Sequence, residues 1–285
     1  FCTLLRSFFY HQTMSAPQPH WTIGSSILTN RYENKGTAFT LQEREALHIR
    51  GRLPPRVETI DEQVARCVEQ LRGFEQPLNR YQFLATLHTT NTTLYYALIK
   101  SHVEETLPVI YTPTVGEACL KFGSIFFRER GMYIHKFYKG QFRELMAESC
   151  YKEVDIIVIT DGSRILGLGD LGANGMGISI GKCSLYVVGG GTWPKRVLPV
   201  LLDAGTDNVQ LRNSPHYLGT REPRLPDEEF YGLLDEFMDA VKSVWPGAVV
   251  QFEDFSNNHC FDMLARYQSK YRCFNDDIQG TGAVI

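Results

Sequence analysis

Apolar positions recur along this chain with two different periods. Over the first part they fall at helical spacing. Thr40 and Glu43 form a capping box, which opens a short helix ending near Gly51, and Pro54-Pro55 blocks its continuation. Ile60, Val64, Val68 and Leu71 share one helical face and predict an amphipathic helix over 59–72. Tyr81, Leu84 and Leu87, then Leu94, Tyr95, Leu98 and Ile99, predict one or two more, interrupted by the Thr-Asn run at 89–93.

Near Gly131 the pattern changes. Val154 to Thr160 is a continuous β-branched apolar run, the signature of a central parallel strand, and Val197 to Leu202 is another. Asp227 to Trp245 carries Phe230, Leu233, Leu234, Phe237 and Val241 on one helical face and closes at Pro246-Gly247. Apolar runs at 248–252 and 271–274 bracket a segment of helical period, with Phe261, Met263, Leu264 and Tyr267 on its apolar side. Strands alternating with helices predict an α/β fold with a mostly parallel sheet. The expected division is a helical N-terminal domain over 23–130 and an α/β domain over 131–279.

Each of the last two strands runs into an acidic pair, Glu253-Asp254 and Asp276-Asp277. A strand-helix-strand crossover makes the strands parallel, so both pairs emerge at one rim of the sheet. Ligands of open α/β sheets bind outside that rim. Four carboxylates there repel unless a cation holds them, and a hard divalent ion, Mg²⁺ or Mn²⁺, takes oxygen ligands. The alternative is that the acids cap the following helix and face water.

Three further segments carry chemistry. Gly167, Gly169 and Gly172 spell G-x-G-x-x-G, but the first glycine stands seven residues beyond Thr160, and no acid lies about twenty positions on. A glycine-rich turn that brings backbone close to a small ligand is the competing reading. Arg164 in that turn offers a bidentate grip on a carboxylate, or a surface ion pair. Lys182, among Gly, Ile and Leu, is either solvated or partly buried with its pKa lowered. Tyr111, held by the turn Thr112-Pro113, is either a packing residue or a general acid.

Composition narrows the classes. The 285 residues suffice for two domains. Charges nearly cancel, 29 basic against 32 acidic, so no basic field points to nucleic acid. No apolar run approaches the ~18 residues a membrane helix needs. The seven cysteines are odd in number, scattered and without CxxC, which predicts a reducing compartment. The chain starts at Phe1, with its first Met at Met14, and its first acid is Glu33. Residues 1–22 are therefore expected to be a targeting remnant or a disordered terminus, which leaves cytoplasm and mitochondrial matrix both open.

Together the motifs resemble one family. Ile110-Tyr111-Thr112-Pro113-Thr114-Val115-Gly116, Thr160-Asp161-Gly162 with Arg164 to Gly172, Gly175-Met176-Gly177-Ile178 with Gly181-Lys182, Gly205-Thr206-Asp207-Asn208, Gln251-Phe252-Glu253-Asp254-Phe255 and Phe274-Asn275-Asp276-Asp277-Ile278-Gln279-Gly280-Thr281 look like malic enzyme over about residues 20 to 285. The resemblance implies metal-dependent oxidative decarboxylation of L-malate to pyruvate and CO₂ with reduction of NAD or NADP, usually by a tetramer or dimer. By motif, Tyr111 is similar to the family's general acid and Lys182 to its general base. Asp276 is similar to the acid that tunes that lysine, and Arg164 to the residue that grips a malate carboxylate. Glu253, Asp254 and Asp277 resemble its metal ligands.

Ser179 and Ser163 depart from the Pro and Glu of many members, without removing a reacting group. Arg66 resembles one of two arginines of a fumarate site, but Thr90 stands where the second is expected, so no fumarate activation is expected. The Rossmann cofactor domain is expected to begin at about Gly280, so residues 280–285 reach only its start. The chain alone is then expected to be inactive. The alternative is an assembly module that associates with full-length subunits.

Overall fold

The computed structural model describes residues 26–285. The expectation for residues 1–22 lies outside them. Thr40 accepts from the Glu43 amide and the Glu43 carboxylate returns to the Thr40 amide, so the capping box opens a helix over Leu41–Ala46. That helix stops short of Gly51, because His48 turns into the left-handed region at φ 55° and sends the Ile49 amide back to the Arg44 carbonyl. Thr59 and Glu62 repeat the box at the start of Ile60–Arg72. The Thr-Asn run breaks the next apolar stretch in two. Asn91 ends the Pro77–Thr90 helix and its side chain caps Thr92–Ser101 by accepting the Leu94 amide at 2.9 Å. Val103–Ile110, Thr114–Leu120 and the single turn Phe122–Ile125 complete the helical region. Val64, Val68, Leu71, Leu84, Leu98 and Ile99 form its core.

The sheet contains β1 (Met132–His135), β2 (Ile156–Thr160), β3 (Val197–Asp203), β4 (Val249–Phe252) and β5 (Cys273–Asn275). Their order is β1-β3-β2-β4-β5 and every pairing is parallel. β5 starts two residues beyond Tyr271, because the Lys270 and Tyr271 amides still bond to the Tyr267 carbonyl.

The continuous apolar runs have a simple cause: both faces of the sheet are covered. Ile157, Ile159, Leu198, Val200 and Leu202 meet Phe230, Leu234, Phe237 and Val241 of the helix Asp227–Val244. Val158 and Leu201 point the other way, toward Cys183 and Ile180 of the helix Met176–Val188. Each such side chain contributes roughly 1.5–3 kcal/mol on burial. The 176–188 helix also packs Leu185 and Val188 on the N-terminal core, so it is shared by both regions. One expected core residue is wrong: Phe261 is 62% exposed. Cys260, Met263 and Tyr267 form the inner face of the Cys260–Tyr267 helix, and Phe261 is turned about 100° from Cys260. Among the described residues, no helix is long and apolar enough to cross a membrane.

Candidate functional site

Strand order decides what meets at the carboxyl rim. β2, β4 and β5 are consecutive neighbours in the sheet, so the loop after Thr160 faces Glu253-Asp254 at the end of β4 and Asp276-Asp277 at the end of β5. Oxygen atoms from Glu253, Asp254 and Asp277 lie within 4.8 Å of one another. Glu253 and Asp254 are buried, and Asp277 is exposed at the mouth. The Asp254 amide donates to Asp277 Oδ2 at 2.9 Å, and the Leu166 amide donates to Asp254 Oδ2 at 2.9 Å. Asp254 sits at φ 53°, a conformation that costs a non-glycine residue on the order of 1–3 kcal/mol and persists where the surroundings impose it.

Burial, reinforced by the Asp277 charge, pushes Glu253 up to about 7 and Asp254 up to about 6. Desolvation and the Asp276 charge raise Asp277 as well. Carboxylates crowded until they hold protons near neutrality fit a hard divalent cation, which takes oxygen ligands and supplies the missing positive charge.

Lys182 and Tyr111 reach the same rim through a close helix approach. Gly177 and Gly181 occupy successive turns of the 176–188 helix. A Cβ at Gly177 would stand 2.7 Å from Cys119 Sγ, and one at Gly181 2.9 Å from the Tyr111 ring. The absence of both side chains brings Tyr111 against Lys182, whose Nζ lies 5.2 Å from the ring centroid. Lys182 Nζ contacts Glu253 Oε1 at 3.0 Å and Asp276 Oδ2 at 2.7 Å, and the Tyr111 hydroxyl donates to Glu253 Oε1 at 3.1 Å.

The lysine is partly buried, at 17% side-chain exposure, but its pKa is raised rather than lowered. Desolvation pulls it down, and the charge of Glu253 with the Asp276 bond outweighs that. Burial also raises Tyr111, with the Glu253 charge adding to it, so the phenol keeps its proton.

The glycine loop wraps Asp254 instead of opening a dinucleotide-binding helix. The Arg164 amide donates to the Asp254 carbonyl at 3.3 Å, and Ser163 Oγ donates to Asp161 and accepts from the Ser256 amide at 2.8 Å. The Arg164 guanidinium is exposed at this mouth, where its charge offsets a small part of the upward shift that burial gives Asp254 and Asp277. Arg66 lies elsewhere, paired with Glu58 at 2.8 Å.

Sequence reasoning missed two supports. Gln251, fully buried, donates to Glu253 Oε2 at 2.5 Å and accepts from the Tyr186 hydroxyl. Its signal was a lone amide inside an apolar strand run. Arg224 bridges Asp161 and Asp170, the two ends of the glycine loop, at 3.1 and 2.7 Å. Its sequence context gives no hint of that.

Fold and rim define an α/β protein with an acid-rich site where strand ends, a glycine loop and a lysine-bearing helix meet. Residues 88–268 match the sequence model of the malic enzyme N-terminal domain, and the chain belongs to the malic enzyme family. It is 53% identical over 261 residues to the NADP-dependent malic enzyme of Dictyostelium discoideum, covering 92% of this chain and 48% of that protein. It is 49% identical to the hydrogenosomal malic enzyme of Neocallimastix frontalis (92% and 44% covered) and 47% to NAD-dependent malic enzyme 2 of Photobacterium profundum (92% and 47% covered). The chain thus spans about half the length of the curated relatives it matches.

Proposed function

We propose that this chain forms the substrate and metal half of an enzyme that converts L-malate to pyruvate and CO₂. The observation that carries the reading is the meeting of Tyr111, Lys182 and the Glu253-Asp254-Asp277 cluster at one rim. In this reading residues 23–130 form the helical domain, residues 131–279 the substrate and metal domain, and residues 280–285 lead toward the cofactor region of a full-length enzyme.

Glu253, Asp254 and Asp277 would hold Mg²⁺ or Mn²⁺, which supplies Lewis acidity at an alcohol or carbonyl oxygen. NAD or NADP would accept the hydride from C2. Arg164, exposed at the mouth, pairs with a malate carboxylate. Glu253, as a ligand of that ion, would no longer hold Lys182 protonated, and Lys182 as the neutral amine takes the proton of the C2 hydroxyl. With C2 oxidised to a ketone, the C3–C4 bond breaks, CO₂ leaves, and the electron pair remains on C3 in conjugation with the ketone. Tyr111 donates its proton to C3. Asp276 holds Lys182 in place through both transfers.

The test needs no nucleotide, because the second half of the sequence starts from oxaloacetate. Mn²⁺-dependent conversion of oxaloacetate to pyruvate, reduced about 100-fold in Tyr111→Phe, together with Mn²⁺ binding abolished by Asp277→Asn, supports the reading. Mn²⁺ binding that is indifferent to Asp277→Asn would sink it.

A further inference from the structure

A second charged group is half-buried away from the acid-rich rim. Arg130 precedes β1 and is only partly exposed. Among the described residues its guanidinium makes no hydrogen bond and no ion pair. Its surroundings are hydroxyls and rings. Tyr81, His88, Tyr95, Tyr96 and Tyr133 all feel its positive charge, and no carboxylate is among the groups that act on them most strongly. Two polar atoms of this set, Tyr133 Oη and His88 Nδ1, are buried without a hydrogen-bond partner. A buried hydroxyl left without a partner is costly, and the half-buried guanidinium beside it has no counter-charge. A single anion would answer the guanidinium and the Tyr133 hydroxyl together.

Arg130 and Tyr133 line a cavity of about 390 Å³ whose remaining wall is mainly apolar, including Phe122, Ile125, Phe126 and Ile180. That volume lies in the range of small-molecule sites, roughly 300–1,000 Å³. Two narrow gaps continue from Arg130 toward Gly181 and toward His88. We propose that this cavity binds a small carboxylic acid with a flat or branched apolar body, its carboxylate on Arg130 and Tyr133 and its body against the rings. Arg128 lines the cavity too, but it is exposed to solvent where Arg130 is half-buried, so Arg130 is the cation that holds the carboxylate. Ile180 lies on the helix that carries Lys182, so an occupant touches that helix on a face the rim does not use. The proposal does not rest on the malate reading.

The test is calorimetric titration of the purified chain with 3-phenylpropionate and with its neutral counterpart 3-phenylpropan-1-ol. The acid is expected to bind at least tenfold more tightly than the alcohol. Arg130→Gln is expected to erase that difference, and Tyr133→Phe to weaken acid binding several-fold, with Mn²⁺ binding at Glu253, Asp254 and Asp277 unchanged in both. Equal binding of acid and alcohol, or binding of neither, overturns the proposal. So does full acid affinity in Arg130→Gln. Should that variant fail to fold, the comparison of acid with alcohol on the unchanged chain decides alone.

Discussion

Two groups of acids stand at the ends of the same sheet, and the chain treats them in opposite ways. Asp161 and Asp170 close on Arg224. Its Nη1 meets Asp161 Oδ2 at 3.1 Å, while Nε and Nη2 take both oxygens of Asp170 at 3.1 and 2.7 Å. The backbone amides of Gly172 and Asp207 also donate to Asp170. Burial would raise Asp170, but the Arg224 bond and charge win, and its pKa is lowered. Among the described residues, Glu253 has Lys182 as its one cationic contact, Asp254 and Asp277 have none, Arg164 stands exposed nearby, and the pKa values of all three acids are raised. Acids whose charge is matched inside the chain fix the shape of a loop. Acids whose charge is left unmatched have a cost that an arriving cation, or a proton, removes.

The largest effect expected from breaking this contrast lies on the matched side. Arg224→Leu leaves Asp161, 1% exposed, without its cation. Removing one partner of a buried ion pair costs about 3–5 kcal/mol, to be read from urea unfolding curves. Arg224→Lys should recover only part of the loss, because an ammonium cannot reproduce the fork on Asp170. Full stability in the leucine variant would mean that Arg224 does not hold the loop.

The unmatched side should respond to added ion. Mn²⁺ at 100 times its dissociation constant stabilises a protein by about 2.7 kcal/mol, and that gain should vanish in Asp277→Asn. The acidity of the solution separates the two groups without any ligand. Glu253 and Asp254 hold protons more tightly folded than unfolded, near 7 and 6 against 4.5 and 3.8. Between about pH 4 and pH 7 the folded state therefore carries extra protons, and their contribution to stability falls as pH rises. Asp170 has the opposite sign. Its folded pKa lies below 3.8, so its contribution is present above the unfolded value and is lost as pH falls through the folded one. His88, buried and held toward its neutral form, also loses stability on acidification, below about pH 6.5. The rim's share is thus read as the difference between the unchanged chain and Glu253→Gln across pH 4.5–7. At saturating Mg²⁺ the slope of the unchanged chain should reverse, stability rising with pH as the ion displaces those protons, and Glu253→Gln should not gain it.

The two groups were also unequally legible in the sequence. The unmatched acids were readable because each pair directly follows a strand, and parallel topology alone brings strand ends together. β2 and β3 were readable because both their faces are buried. The matched group was hidden, since Arg224 is separated from Asp161 by 63 positions and nothing local marks it as a partner. β1 escaped because Met132–His135 is a short edge strand of mixed polarity. The 176–188 helix escaped for a physical reason that doubles as its purpose. Gly177 and Gly181 lower its helix propensity by about 1 kcal/mol each, and the same two positions admit Cys119 and Tyr111. For Lys182 the sequence left a solvated amine and a buried one of lowered pKa both open. Glu253 and Asp276, distant in sequence, reverse the sign.

Ser163 joins the two groups, so it offers the finest test of whether they are separate. Its hydroxyl donates to Asp161 Oδ1 at 2.6 Å on the matched side and accepts the Ser256 amide at 2.8 Å, two residues past Asp254, on the unmatched side. Ser163→Ala removes both bonds and leaves the Ser256 amide without that acceptor. A cost of about 1 kcal/mol is expected. If the loop only scaffolds itself, that loss appears in unfolding curves and Mn²⁺ affinity stays as it was. If the matched acids position Asp254, Mn²⁺ binding weakens as well, and Ser163→Thr, which keeps the hydroxyl, restores it. The contrast between matched and unmatched acids predicts the second outcome. Asp254 accepts from the Leu166 amide and, through its carbonyl, from the Arg164 amide. A loop freed at Ser163 loosens both, so the structural group would set the geometry of the ligand-binding one.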